Sequence, residues 1–235
     1  MKRKTYPLSR ARGRLASFQT FWAVWKNPYW NMGVICLLSY QLLSVKVPDF
    51  DWTHIWKPKD QLYLLDEAGR FIPDTESFSS KVKEVSQELQ VPPEWIMAVM
   101  KAESGFNPTV RNKKGSGAVG LIQFMPAVAK ELQVRPSELA QMEAHIQMDF
   151  VQQYLQQVRA RYGEYQSLTD LYLGILYPKA RYQDPCFALY AKPSKSYIQN
   201  AGLDENGDGV VSIHDIDQRM KRMFPIAYMI NKEKG

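Results

Sequence analysis

The stretch "VPPEWIMAVMKAESGFNP", Val91 to Pro108, decides the fold. Pro92 and Pro93 suit the first turn of a helix, and Gly105 is placed to end it. Ile96, Val99 and Met100 form an apolar stripe, and Glu103 follows them at helical spacing, on the same face. A carboxylate there loses water on the side where a core should form. It also falls in the last turn, where the helix dipole disfavours negative charge. Both effects raise its pKa, so that a proton is retained near neutral pH. A general acid has that requirement. The plainer reading is a glutamate that reaches water at a fraying end, or pairs with Lys101.

Working outward, "ESGFNPTVRNKKGSGAVGLIQFMPAVAKEL", Glu103 to Leu132, places Glu-Ser before a glycine-rich loop and the run Gly120, Leu121, Ile122, Gln123, Phe124, Met125, Pro126. Two linked blocks in this order resemble the signature of soluble lytic transglycosylases and goose-type lysozymes. The alternating Gly115, Gly117 and Gly120 read as a loop whose backbone approaches a ligand or the catalytic helix closely. Further on, "SLTDLYLGILYP", Ser167 to Pro178, reads as a helix. By order and spacing it resembles the family's third block, Ala-Tyr-Asn-Ala-Gly, with Tyr172 on the tyrosine. Leu173, Gly174 and Ile175 replace the last three residues, a pattern similar to the variant in phage-virion transglycosylase domains.

The resemblance covers roughly residues 76–180 and implies a mainly α, lysozyme-like fold acting on peptidoglycan glycan strands. It implies Glu103 as the catalytic acid and base, with Ser104, Ser116, Gln123 and Tyr172 as substrate-binding residues. The family's loop serine falls on Asn112 by direct spacing, and on Ser116 if this loop is two residues longer. A glycosidase usually needs two carboxylates. No Asp or Glu lies between Ser104 and Lys130, the near wall of the expected cleft.

The chain has 235 residues and 45 % hydrophobic content, enough for one domain of about 150 residues with extensions. Its net charge of +6 is unevenly placed. Residues 1–48 hold eight basic side chains and no acidic one, which leaves the rest at −2. The basicity belongs to the arm, and no nucleic-acid partner is expected of the globular part. Cys36 and Cys186 make no disulfide framework. "NPYWNMGVICLLSYQLLSV", Asn27 to Val45, is uncharged, just long enough to cross a hydrocarbon core, and bordered by aromatic and basic residues. It reads as an uncleaved membrane anchor with the N-terminus inside and the body outside the cytoplasmic membrane. The rival is a buried or interfacial helix.

The expected organisation is a basic arm and anchor at 1–48, a linker at 49–75, a lytic transglycosylase domain at 76–195 and an EF-hand-like segment at 196–235. Within the last, "DENGDGVVSIHD" supplies Asp204, Asn206, Asp208, Gly209, Val210, Ser212 and Asp215 at positions 1, 3, 5, 6, 7, 9 and 12 of an EF-hand loop. Oxygens at this spacing converge on a hard cation, so structural Ca²⁺ is expected, with Mg²⁺ possible because Asp215 replaces the bidentate Glu. No catalytic cofactor is expected. His54 and His145 read as surface residues, and His214 as no ligand. Before the catalytic helix, Val82, Val85 and Leu89 recur at helical spacing with Ser79 or Ser80 as the cap. "RPSEL" reads as a turn, and the longest helix is expected near Gln141–Arg161, with Met142, Ile146, Phe150, Tyr154, Leu155 and Val158 as its stripe. The chain is expected to work in the periplasm or in a phage virion, within a larger envelope-spanning or virion assembly. A hydrolytic muramidase and a non-catalytic muropeptide-binding virion protein are the alternatives.

Overall fold

Asp74 opens the first long helix of the computed structural model, which describes residues 61–113 and 115–231. Its carboxylate accepts from the Ser77 amide at 3.0 Å, capping an orphan N–H. The helix therefore starts upstream of Ser79 and Ser80, the caps expected from the sequence, and gains buried Phe78 ahead of Val82, Val85 and Leu89. The helices are α1 (Leu65–Ala68), α2 (Thr75–Leu89), α3 (Pro93–Ser104), α4 (Pro126–Glu131), α5 (Pro136–Leu139), α6 (Ala144–Tyr162), α7 (Leu168–Leu176), α8 (Lys195–Asn200), α9 (Ile213–Met223) and α10 (Pro225–Met229). Two short strands, β1 (Ala188–Ala191) and β2 (Val210–Ser212), pair antiparallel. The described chain is mainly helical, and all of it lies in one unit that begins at Lys59.

The central element is α3. Pro93 occupies its first turn and Gly105, at φ 61°, closes it, both as the proline and glycine positions predict. Trp95 through Met100 are all buried. The stripe of Ile96, Val99 and Met100 is thus one part of a helix covered on every side, by α2, α7 and α10. Leu62, Ala68 and Ile72 join the same core. From the far end of the chain, Ala227 and Ile230 accept the Trp95 indole N–H through their carbonyls at 3.0 and 3.2 Å.

Helix α6 packs along α2, but its register differs from the stripe read in the sequence. Ala144, Gln147, Met148, Val151, Leu155 and Val158 face inward, while Ile146 is exposed and Phe150 and Tyr154 are half-buried. The inner face includes Gln147, a polar residue that makes its hydrogen bonds inside the protein. The stretch "RPSEL", expected as a turn, is the short α5, capped by Glu138 on the Arg135 amide at 2.9 Å.

No helix among the described residues is long and apolar enough to cross a membrane. The basic arm, Asn27–Val45, Cys36 and His54 lie outside the described residues.

Past α7 the chain is held by a buried ion pair. Arg181 Nε and Nη2 donate to the two Asp170 carboxylate oxygens at 2.7 and 2.9 Å, and the guanidinium lies 4.3 Å from the Tyr165 ring centroid. Removing one partner strands the other charge without water. Asp170→Ala is expected to cost about 3–5 kcal/mol in urea unfolding. Asp170→Ala with Arg181→Met should recover most of it.

Candidate active site

Glu103 is the last residue but one of α3, before Ser104, in the position the proline and glycine boundaries dictate. Its residue surface is partly open, while protein crowds the carboxyl. Loss of water raises its pKa from 4.5 to about 7, against the lowering effects of a hydrogen bond from Tyr172 and of the Arg219 charge. The group therefore carries a proton for a large part of the time at neutral pH. The basic neighbour that could have neutralised it is committed elsewhere: Lys101 pairs with Glu67 at 2.6 Å and lies over the Phe106 ring.

Tyr172, buried on α7, acts on Glu103 through its hydroxyl, and burial together with the glutamate charge pushes its own pKa well above 10. The phenol thus stays protonated and remains a donor to the carboxyl. Tyr190, on β1, feels the Glu103 charge as well. Burial first, then Tyr177 and Glu103, push it up to about 12. Its ring meets Tyr177 edge-on, centroids 5.9 Å apart at 85°. No second carboxylate is among the groups acting on Glu103.

The loop from Gly105 to Met125 folds on itself. The Asn112 amide donates to Ala118 O at 2.9 Å and the Gly120 amide to Val110 O at 3.0 Å, while Val119 and Phe124 exchange both bonds. Gly120, at φ 82°, would carry a Cβ only 2.6 Å from Gln147 Oε1, so no side chain fits there. The backbone's close approach is therefore to α6. A Cβ on Gly117 would similarly press on the Pro126 ring at 3.0 Å.

Gln147 is fully buried. It donates to Pro108 O at 2.7 Å and Leu139 O at 2.6 Å, and accepts from the Leu121 amide at 3.0 Å. This residue organises both ends of the loop, and the sequence reading missed it. The available signal was a glutamine on the inner side of a helix whose apolar stripe is imperfect. Tyr190 was missed for another reason: it lies on β1, outside the three sequence blocks, and meets Tyr177 only through the fold.

The other expected contacts are partly engaged within the protein. Ser104 Oγ donates to Met100 O at 3.0 Å, and Ser116 Oγ accepts from the Ala118 amide at 3.3 Å. Gln123, in left-handed backbone at φ 54°, donates its amide nitrogen to Val110 O and Gly120 O at 3.3 and 3.2 Å. Its amide oxygen is the group it can still offer. A groove of about 380 Å³ runs past Tyr154, Tyr162 and Tyr177. It does not include Glu103, and Tyr177 in its lining is the residue whose ring Tyr190 meets edge-on.

The loop from Asp204 to Asp215 closes around Asp204, whose carboxylate accepts from Gly207 N, Gly209 N and the Tyr197 hydroxyl at 2.7, 2.9 and 2.7 Å. These bonds hold the Asp204 carboxyl below its ordinary range, with Tyr197 the largest cause. Asp208 accepts from Val210 N at 2.8 Å and from the Asn206 amide at 2.9 Å. Asp215 is buried and accepts from Ser212 N and Glu205 N at 2.9 and 3.2 Å, and from the Ser212 hydroxyl, capping α9. Among the described residues, no three His, Cys, Asp or Glu side chains are gathered as a metal cage. His145 lies beside Glu143 at 3.4 Å, Asp149 pairs with Lys81 at 2.7 Å, and His214 is exposed. Cys186 is free and exposed.

Residues 80–175 match the family model described as Transglycosylase SLT domain. The matched span holds α3, the glycine loop, Gln147 and Tyr172, and supports a lytic-transglycosylase-type function directed at peptidoglycan. Tyr190, Arg219 and the acidic loop lie beyond it.

A carboxyl whose pKa is raised by folding favours the folded state in its protonated form. Its contribution is complete below the unfolded pKa near 4.5 and is lost as pH rises through about 7. Glu103→Gln, which cannot ionise, is therefore expected to be more stable than the parent above pH 7, by on the order of 1–3 kcal/mol. The two should converge near pH 4.5 in denaturant titrations.

Proposed function

We propose that this protein is a lytic transglycosylase that cleaves the β-1,4 bond between N-acetylmuramic acid and N-acetylglucosamine, with Glu103 as sole acid and base. The observation that carries this reading is a carboxyl with a pKa near 7 and no second carboxylate among the groups acting on it. Protonated Glu103 gives its proton to the glycosidic oxygen, and the bond to the muramic acid C1 breaks. The carboxylate so formed takes the proton of that sugar's C6 hydroxyl, whose oxygen bonds to C1. The products are a 1,6-anhydro end and a free hydroxyl on the leaving sugar, and no water is consumed. An intramolecular nucleophile has a high effective concentration, so a protein nucleophile is unnecessary. Tyr172 donates to the carboxylate while its proton is away.

In this reading the sugar is held by the loop backbone, the Gln123 amide oxygen and the hydroxyls of Ser104 and Ser116. The tyrosine-lined groove receives further rings of the strand. The basic arm and Asn27–Val45 would anchor the body outside the cytoplasmic membrane or in a virion, as part of a larger wall-crossing assembly. For the acidic loop we propose Ca²⁺ in a structural role. The side chains of Asp204, Asn206, Asp208, Ser212 and Asp215 and the Val210 carbonyl supply the hard oxygens it needs. Asp215, committed to capping α9, is the weakest fit.

Mass spectrometry of sacculus digests made with the intact chain tests the chemistry. Anhydro-ended muropeptides are expected from the parent and none from Glu103→Gln. Reducing ends, one water heavier, would make it a muramidase, and equal negligible release by both proteins would make it a binding module. For the loop, Ca²⁺ at a hundredfold excess over its Kd is expected to stabilise the parent by about 2.7 kcal/mol. Asp208→Ala should show no such gain, and a parent indifferent to Ca²⁺ removes the metal.

A further inference from the structure

The tyrosine-lined groove carries charges that the fold leaves unanswered. Its floor is aromatic. Tyr154, Val158 and Tyr162 recur at every fourth residue of α6, so they share one face of that helix, and all three line the groove. The Tyr154 hydroxyl donates to Gly174 O at 3.1 Å, which ties the ring to α7. The other walls adjoin the candidate site. Glu131 belongs to α4, which starts directly after the block of Gln123, Phe124 and Met125. Leu176 lies four residues past Tyr172 on α7, on the same face and about 6 Å further along the axis. Tyr177 follows it. The rim is charged: Arg161, Lys179 and Glu131 line the groove and are exposed. Among the described residues, the side chains of Arg161 and Lys179 make no ion pair or hydrogen bond, with Glu131 or with any other group. Cations close to them in the chain are engaged, Arg159 with Glu164 at 3.2 Å and Arg181 with Asp170 at 2.7 Å. Two cations and a carboxylate thus face solvent around an aromatic floor without neutralising one another.

We propose that this groove selects glycan strands that still carry their peptide stems, with Arg161 and Lys179 holding stem carboxylates while the tyrosines hold the sugar rings. The inference rests on the reading of the site as one that cleaves strands containing muramic acid. Each muramic acid carries its stem on the lactyl group, and a stem bears free carboxylates together with an amino group on its diamino acid. A ring lying on Tyr154, Tyr162 and Tyr177 therefore sets its stem at the edge of the groove. Two cations there meet the carboxylates, and Glu131 meets the amine. The rim's signs match those of a stem, whereas bare sugars offer no charge to either cation. Arg161 supplies planar, two-pronged recognition of a carboxylate, and Lys179 a mobile point charge. Ion pairs at exposed positions are individually weak. The two cations therefore discriminate between stem-bearing and bare strands rather than bind either tightly.

The test uses the intact chain and two forms of the same uncrosslinked glycan strands, one bearing stems and one stripped of them by an amidase. The parent is compared with the double variant Arg161→Gln, Lys179→Gln and with the charge-keeping Arg161→Lys, Lys179→Arg. The parent is expected to favour stem-bearing strands in kcat/KM, and rising salt should erode that preference. In the double Gln variant the preference should fall about fivefold, the size expected of two exposed ion pairs, with the loss in KM and not in kcat. The charge-keeping variant should retain it, which a loss of packing alone would not explain. Equal kcat/KM of the parent on both strands, or a preference unaltered in the double Gln variant, overturns the proposal. Calorimetry of both strand forms on Glu103→Gln, with and without the two Gln substitutions, reads the same preference without turnover. If the parent cleaves neither strand, the catalytic reading fails, and the calorimetric preference still decides whether the groove holds stems.

Discussion

The influence of Tyr172, buried on α7, on Glu103 at the end of α3 joins the two helices on which the rest of the described structure is built. It joins a carboxyl stripped of water to a phenol that stays protonated. Such a pair is costly to keep in a protein interior unless its surroundings hold it rigidly. The surroundings do so in layers. Prolines at one end of α3 and a left-handed glycine at the other fix where the acid falls. Apolar packing on every side of Trp95 to Met100 fixes the helix axis. The Asp170–Arg181 pair secures α7 to the segment that follows it.

Much of this could be read in the sequence because it depends on local rules. The boundaries of α3 follow from Pro93 and Gly105, and the burial of Val82, Val85 and Leu89 from their spacing. Glu103 and Tyr172 were legible as a pair through the ordered blocks around them, although spacing alone could not show that they touch. The start of α2 was misplaced because Asp74, an equally good cap, stands upstream of two candidate serines. The inner face of α6 was misread because a buried glutamine looks polar in any hydrophobic count. Arg219 and Tyr190 were invisible as site residues. Their influence on Glu103 comes from segments far apart in the chain, which no periodicity encodes. The acidic loop illustrates the opposite case: its spacing is plain in the sequence, while its carboxylates in the structure are engaged with loop amides and hydroxyls.

The two parts of the described chain differ in how they contribute. The segment matching the transglycosylase model carries the acid, its tyrosine and the loop. The segment after it lies outside that match, yet it accepts the Trp95 indole N–H of α3 and packs α9 against α7.

Gln147 limits which residues can stand in its place. It meets two carbonyls and one amide N–H at once, so its side chain must give and receive hydrogen bonds from the same small group. A carboxylate lacks the donors, and an ammonium or guanidinium lacks an acceptor. A hydroxyl has a single hydrogen for two carbonyls. Only the carboxamides satisfy all three bonds, and asparagine is one methylene shorter. The shape of the glycine loop is thus tied to the chemistry of one neutral, unreactive side chain on a neighbouring helix, and drift at that position is closed off more tightly than at most residues of the loop itself.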